Sequence, residues 1–91
     1  MPREISPVAK SILVLLNNAE ELVRHSSNRK DAKEVIRAAR IYAQSKNFPM
    51  PEEEIEDFND ILLDAKPNRI SAKIREIASK VINSEFSFKK K

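Results

Sequence analysis

Apolar residues in this chain recur at spacings of three and four, the repeat of one helix face, in four stretches divided by short polar or proline-containing breaks. In the first stretch Val8, Ile12, Leu15, Ala19 and Leu22 form the stripe, and Leu13, Leu16 and Val23 widen it beyond a coiled-coil seam. Ser6-Pro7 opens it: the serine hydroxyl caps free amides, and a first-turn proline has no N–H to leave unpaired. This segment is expected to end near Arg24 or His25, with Ser26-Ser27-Asn28 as linker and cap. The second places Ala32, Val35, Ile36, Ala39, Tyr42 and Ala43 on one face, rich enough in alanine for close helix approach. Asn47-Phe48-Pro49-Met50-Pro51 stops it, because residues before proline avoid the helical region. The third opens at Pro51 and sets Glu52, Glu53 and Glu54 at the positive end of the helix dipole. Its core face is Ile55, Phe58, Ile61, Leu62 and Ala65. After Lys66-Pro67-Asn68, the fourth carries Ile70, Ile74, Ile77, Ala78, Val81 and Ile82.

Short connections make consecutive segments antiparallel neighbours, so the expected fold is all-α, a compact antiparallel four-helix bundle. A three-helix core with one mobile helix is the competing arrangement. The bundle is read as one domain over residues 1–83, followed by a flexible basic tail over 84–91 that contains Phe86 and Phe88. The composition agrees: of 91 residues none is glycine or threonine, while Ala, Ile, Leu, Lys, Glu and Arg abound. Without glycine there is no phosphate-cradling P-loop, dinucleotide fingerprint or EF-hand loop. Without cysteine there is no disulfide, thiolate metal site or cysteine nucleophile. The longest unbroken apolar run, Ile12–Leu16, is far short of the roughly 20 residues that span a bilayer. The chain is therefore read as cytoplasmic. Few thermolabile residues other than its asparagines suit a thermophilic source.

The net charge is +3, but it is sorted along the chain. Residues 1–26 balance, residues 27–50 carry +4, residues 51–65 carry −7 with no base, and residues 66–91 carry +6. Arg29, Lys33, Arg37 and Arg40 recur at helical spacing on the second segment, as do Arg69, Lys73 and Lys80 on the fourth. Two arrangements follow. The bases face outward and neutralise phosphates, or they pair with the acidic segment beside them and lose much of their field. A helix-turn-helix across the third and fourth segments would offer Arg69, Lys73 and Ser71 to base edges, but the turn lacks glycine and the preceding segment repels phosphate.

Candidate chemistry is sparse. His25, the one histidine, sits beside Arg24 at a helix end, where interaction with the dipole is its expected role. Glu53, Asp57, Asp60 and Asp64 share a face, which reads as a solvated acidic surface or a dock for a basic partner rather than a magnesium site. No catalytic residue, cofactor or metal is assigned, and the protein is expected not to be an enzyme. Phe48 and Met50, in a proline-stiffened loop, either cap the bundle end or anchor a partner. Phe86 and Phe88 alternate, so in an extended tail both face one side of a partner's groove.

The stretch PMPEEEIEDFNDILLDAKPNRISAKIREIASKVI, from Pro49 to Ile82, resembles the small helical accessory subunits of the crenarchaeal B-family DNA polymerase holoenzyme. That resemblance lies in size, composition and helicity; it carries no signature motif and assigns no role to single residues. It implies an adaptor docked on a nucleic-acid-processing complex. On that reading Glu53, Asp57 and Asp60, with Phe48, Met50, Phe86 and Phe88, meet the protein partner, while the two basic rows face nucleic acid or solvent. Four short helices with a basic tail also look like bacteriocin immunity proteins, which would imply binding to a toxin–receptor complex. Autonomous DNA binding is the third reading.

Overall fold

The computed structural model describes residues 6–26 and 28–89; the side chains of residues 26 and 86–89 lie outside that description. It holds four helices: α1 (Pro7–Ser26), α2 (Arg29–Ser45), α3 (Glu52–Ile61) and α4 (Pro67–Lys89). Central α1 packs against both α2 and α4, and α3 packs against α4, within extents of 39 × 25 × 16 Å. Side-chain contacts fix the directions. Ser6 before α1 meets Glu85 late in α4, and Glu20 late in α1 meets Arg75 early in α4. Likewise Glu54 reaches Lys80 while Asp57 reaches Lys73, so α3 runs back along α4 rather than across it as a helix-turn-helix would. At the other flank α2 begins where α3 ends and ends where α3 begins, with Arg29 on the carbonyls of Leu62 and Ala65 and Arg40 on Glu52. All four helices therefore belong to one antiparallel bundle.

Buried apolar positions on each helix follow a three–four alternation: Ala9, Ile12, Leu16, Ala19 and Val23 on α1, and Ala32, Ile36, Ala39 and Ala43 on α2. On α3 they are Ile55 and Phe58, continued by Leu62 just past its end, and on α4 Ile70, Ile74, Ile77 and Val81. This is the seam that lets rods pack side by side. The α1 stripe read from sequence is rotated from the observed one: Val8, Leu15 and Leu22 are half-buried flanks, and Ala9, Leu16 and Val23 take the centre. A helix wedged between two partners buries a wide apolar arc, and packing alone selects its midline.

Local signals account for the ends. Ser6 Oγ accepts from Ala9 N–H at 3.3 Å, and Asn28 Oδ1 accepts from Asp31 N–H at 3.1 Å while Asn28 Nδ2 donates to Asp31 Oδ2 at 2.8 Å. α2 stops in a Schellman motif: Asn47 takes φ 57°, Phe48 N–H reaches Ala43 O at 2.8 Å, and Asn47 N–H reaches Gln44 O at 3.1 Å. Left-handed backbone usually calls for glycine; in a chain with none, asparagine is the least strained substitute. The motif also explains Phe48, which packs back over the end of α2 at 6% exposure. Phe48 is thus a bundle cap, and the alternative of an exposed partner anchor is corrected. Met50 is half-buried against the same core.

α3 is shorter than its apolar pattern suggests, ending at Ile61, with Leu62 to Ala65 in a turn closed by Ala65 N–H on Ile61 O at 2.8 Å. α4 starts at Pro67, repeating the proline-first device of Pro7, and runs to Lys89, past Ser84 where the sequence reading ends it. Backbone at residues 86 and 88 is therefore helical, not extended; their side chains lie outside the described residues. No helix among the described residues is long and apolar enough to cross a membrane.

Truncating Phe48 to alanine is expected to destabilise the protein by about 3–5 kcal/mol in urea unfolding. Asn47→Gly should leave stability unchanged or raise it, whereas Asn47→Val should cost about 1–2 kcal/mol, because only the branched side chain resists positive φ.

Candidate functional site

α3 decides which charges reach the surface. Its buried triplet Ile55, Phe58 and Leu62 points inward, which turns Glu52 toward α2, Glu54 and Asp57 toward α4, and Glu53, Asp60 and Asp64 outward. Arg40 then pairs with Glu52 at 2.7 Å, Lys80 with Glu54 at 3.1 Å, and Lys73 with Asp57 at 3.8 Å and Glu76 at 2.7 Å. The Lys80 ammonium, hydrogen-bonded to Glu54, holds that carboxyl below its ordinary value. The hydrogen bond from Lys73 to Glu76 raises the lysine's own pKa. Arg29 binds backbone instead of a carboxylate. Its Nη1 donates to Leu62 O and Ala65 O, both at 2.7 Å, closing the open carbonyls behind α3.

Of the bases expected at nucleic acid, Arg29, Arg40, Lys73 and Lys80 are thus engaged inside the fold, and Lys33, Arg37 and Arg69 remain exposed without an ion pair among the described residues. The structure brings Lys33 and Arg37 together with Lys30, which the sequence reading omits; spacings of three and four put all three on one outward line of α2. Beside them a groove of about 350 Å³ opens between α2 and α3, lined by Lys33, Ile36, Arg37, Arg40, Ile55 and Asn59. Arg69 stands apart at the start of α4. Of the carboxylates expected at a protein partner, Glu53 and Asp60 face solvent without ion pairs, and Asp57 leans on Lys73. Phe86 and Phe88 fall outside the described side chains.

A second charged cluster, unseen in the sequence, ties α1 to α4. Glu20, 13% exposed at its side chain, accepts from Ser71 Oγ and from Arg75 Nε at 2.9 Å, with Arg24 at 3.6 Å. Burial opposes its charge, but the hydrogen bonds from Ser71 and Arg75 and the two guanidinium charges together hold its carboxyl below the ordinary value of 4.5. Glu85 is buried at 1% exposure and accepts from Ser6 Oγ at 2.7 Å, a carboxylate set at the positive end of α1. Both polar pairings join residues far apart in the chain, so no local spacing marks them. His25 Nε2 lies 3.3 Å from Glu21 Oε2. No three His, Asp or Glu side chains converge on a metal-sized site among the described residues.

Another open feature of the described residues is apolar. A groove of about 680 Å³ runs between α1 and α2, lined by Pro7, Ser11, Val14 and Leu15 on one side and Ala38 and Tyr42 on the other, with Lys10 at one end. Val14 and Ile41 are each 55% exposed. Their signal was present in the sequence as apolar residues lying off the stripe, Val14 within the run Ile12–Leu16 and Ile41 beside Tyr42. The chain matches no protein-family model, no curated protein and no solved structure.

The depressed Glu20 carboxyl is worth stability above its ordinary value, and that contribution drains away as the pH falls through the folded value. Between about pH 5 and pH 3 wild-type protein should lose stability more steeply than Glu20→Gln, which should be the weaker of the two at pH 7. Chemical denaturation at each pH reads both limbs; parallel curves would remove Glu20 from the acid response.

Proposed function

We propose that this protein is a non-enzymatic accessory subunit that docks onto a larger nucleic-acid-processing assembly, as its likeness to polymerase accessory subunits implies. One observation carries the reading: after internal pairing, unpaired charge of opposite sign remains on adjoining faces. Lys30, Lys33 and Arg37 line α2, and Glu53 and Asp60 line the outside of α3, with Asp64 in the turn after it. The basic line suits phosphates and the acidic line suits a basic patch on a protein. Because the carboxylates stand beside the bases, binding to free nucleic acid is weak. A partner that covers the acidic line unmasks the basic one, which is the behaviour of an adaptor rather than of an autonomous DNA-binding protein.

Fluorescence anisotropy with a labelled duplex tests the basic line. Three phosphate contacts predict a plot of log affinity against log salt with a slope of about −2.7, and Lys33→Glu with Arg37→Glu should reduce it to about −1 or less. Absence of binding even at about 20 mM salt would remove the nucleic-acid half of the reading. Affinity capture from native extract tests the other half: nucleic-acid enzymes recovered by wild type should be lost with Glu53→Lys and Asp60→Lys.

A further inference from the structure

The α1/α2 groove has the makings of a contact with a second copy of the chain. It is open, apolar and floored by small residues, Ser11 and Ala38, which allow another helix to come close. Val14, 55% exposed, lines this groove, and Ile41, equally exposed, lies between its lining residues Ala38 and Tyr42 along α2; Leu63, at 81%, stands apart in the turn after α3. Two adjacent helices of 20 and 17 residues present a face about 25 Å long and about 20 Å wide. That is about 500 Å², below the roughly 800 Å² each partner contributes to a standard interface; two such faces reach about 1,000 Å² in total, the scale of a weak dimer.

Charge singles out the occupant. α1 begins and α2 ends at one end of the groove, where Lys10 lines it and Lys46 lies 5.9 Å from the centre of the Tyr42 ring. One and two turns back along α2 from Ala38 stand Glu34 and Asp31, so the opposite end is acidic. Lys10 and Glu34 make no ion pair among the described residues. A two-fold axis perpendicular to the helices at the level of Val14 sets each helix antiparallel to its copy. It lays the Lys10/Lys46 end of one protomer over the Asp31/Glu34 end of the other and closes Val14 and Ile41 between them. The face is complementary to itself under that single operation, which is what an isologous dimer requires. We infer that the protein forms a two-fold dimer through the α1/α2 face, with Val14 and Ile41 at its centre and Lys10–Glu34 pairs between protomers at its ends.

Sedimentation velocity from about 10 μM to about 1 mM tests this, on a scale that covers weak and moderate dimers. Twice the 10.4 kDa mass of the chain is expected in the upper part of that range. Both Val14→Glu and Ile41→Glu alter exposed side chains and should yield monomer with unchanged helical circular dichroism. Lys10→Glu should weaken the dimer about tenfold, and adding Glu34→Lys should restore it. A monomer at every concentration overturns the inference, as does a dimer indifferent to Val14→Glu. Neither result bears on the α2 and α3 charged lines, so the docking reading stands or falls separately.

Discussion

The attachment of α3 is the constraint from which the rest of the surface follows. Ten residues with six carboxylates form a helix too short to be stable alone, and only Ile55 and Phe58 within it are fully buried. It is held by burying those side chains with Leu62 in the core, and cations on both neighbours meet its flanks: Arg40 and Arg29 from α2, Lys80 and Lys73 from α4. These contacts are largely exposed, and each is worth little; burial of Ile55, Phe58 and Leu62 orients α3, and the ion pairs neutralise the carboxylates it leaves at the seams. Arg29 differs in kind, since it answers two backbone carbonyls in the turn after α3, where no left-handed residue closes the helix end as Asn47 does for α2.

From that docking comes the division between structural and available charge. Sequence blocks of opposite sign do not translate into helices of opposite sign facing solvent. Bases on the inner flanks of α2 and α4 neutralise the inner carboxylates of α3, while the lines pointing away from these seams keep their fields. Lys33 and Arg40 illustrate the point: seven residues apart on α2, they both line the α2/α3 groove, yet Arg40 holds Glu52 and Lys33 is unpaired. The protein therefore presents a narrow cationic line beside a narrow anionic one.

The opposite side of the bundle obeys a different logic. α1 carries more apolar side chains than two seams can cover, and the surplus emerges as Val14 and part of the groove with α2. Alanines at 32, 39 and 43 draw α2 close to α1 and leave room at the surface where larger residues would have filled it.

Four helices, their antiparallel order and the caps of the first two were legible in the residues alone, because three–four spacing, Ser6-Pro7 and Asn28 act over a single turn; Pro67 read as part of a connection and proved to open α4. The charge blocks were legible too, as were the core positions of α2 and α4. Helix periodicity names a face but not its midline, so the one-residue rotation of α1 awaited its neighbours. Burial of Phe48 depended on the left-handed turn at Asn47, and Glu20 with Ser71 or Glu85 with Ser6 depended on which rods lie side by side. Interactions within about four residues were settled by the chain's own order of side chains; partnership between residues on different helices, and with it the choice between a neutralised base and a free one, was settled only when the helices packed.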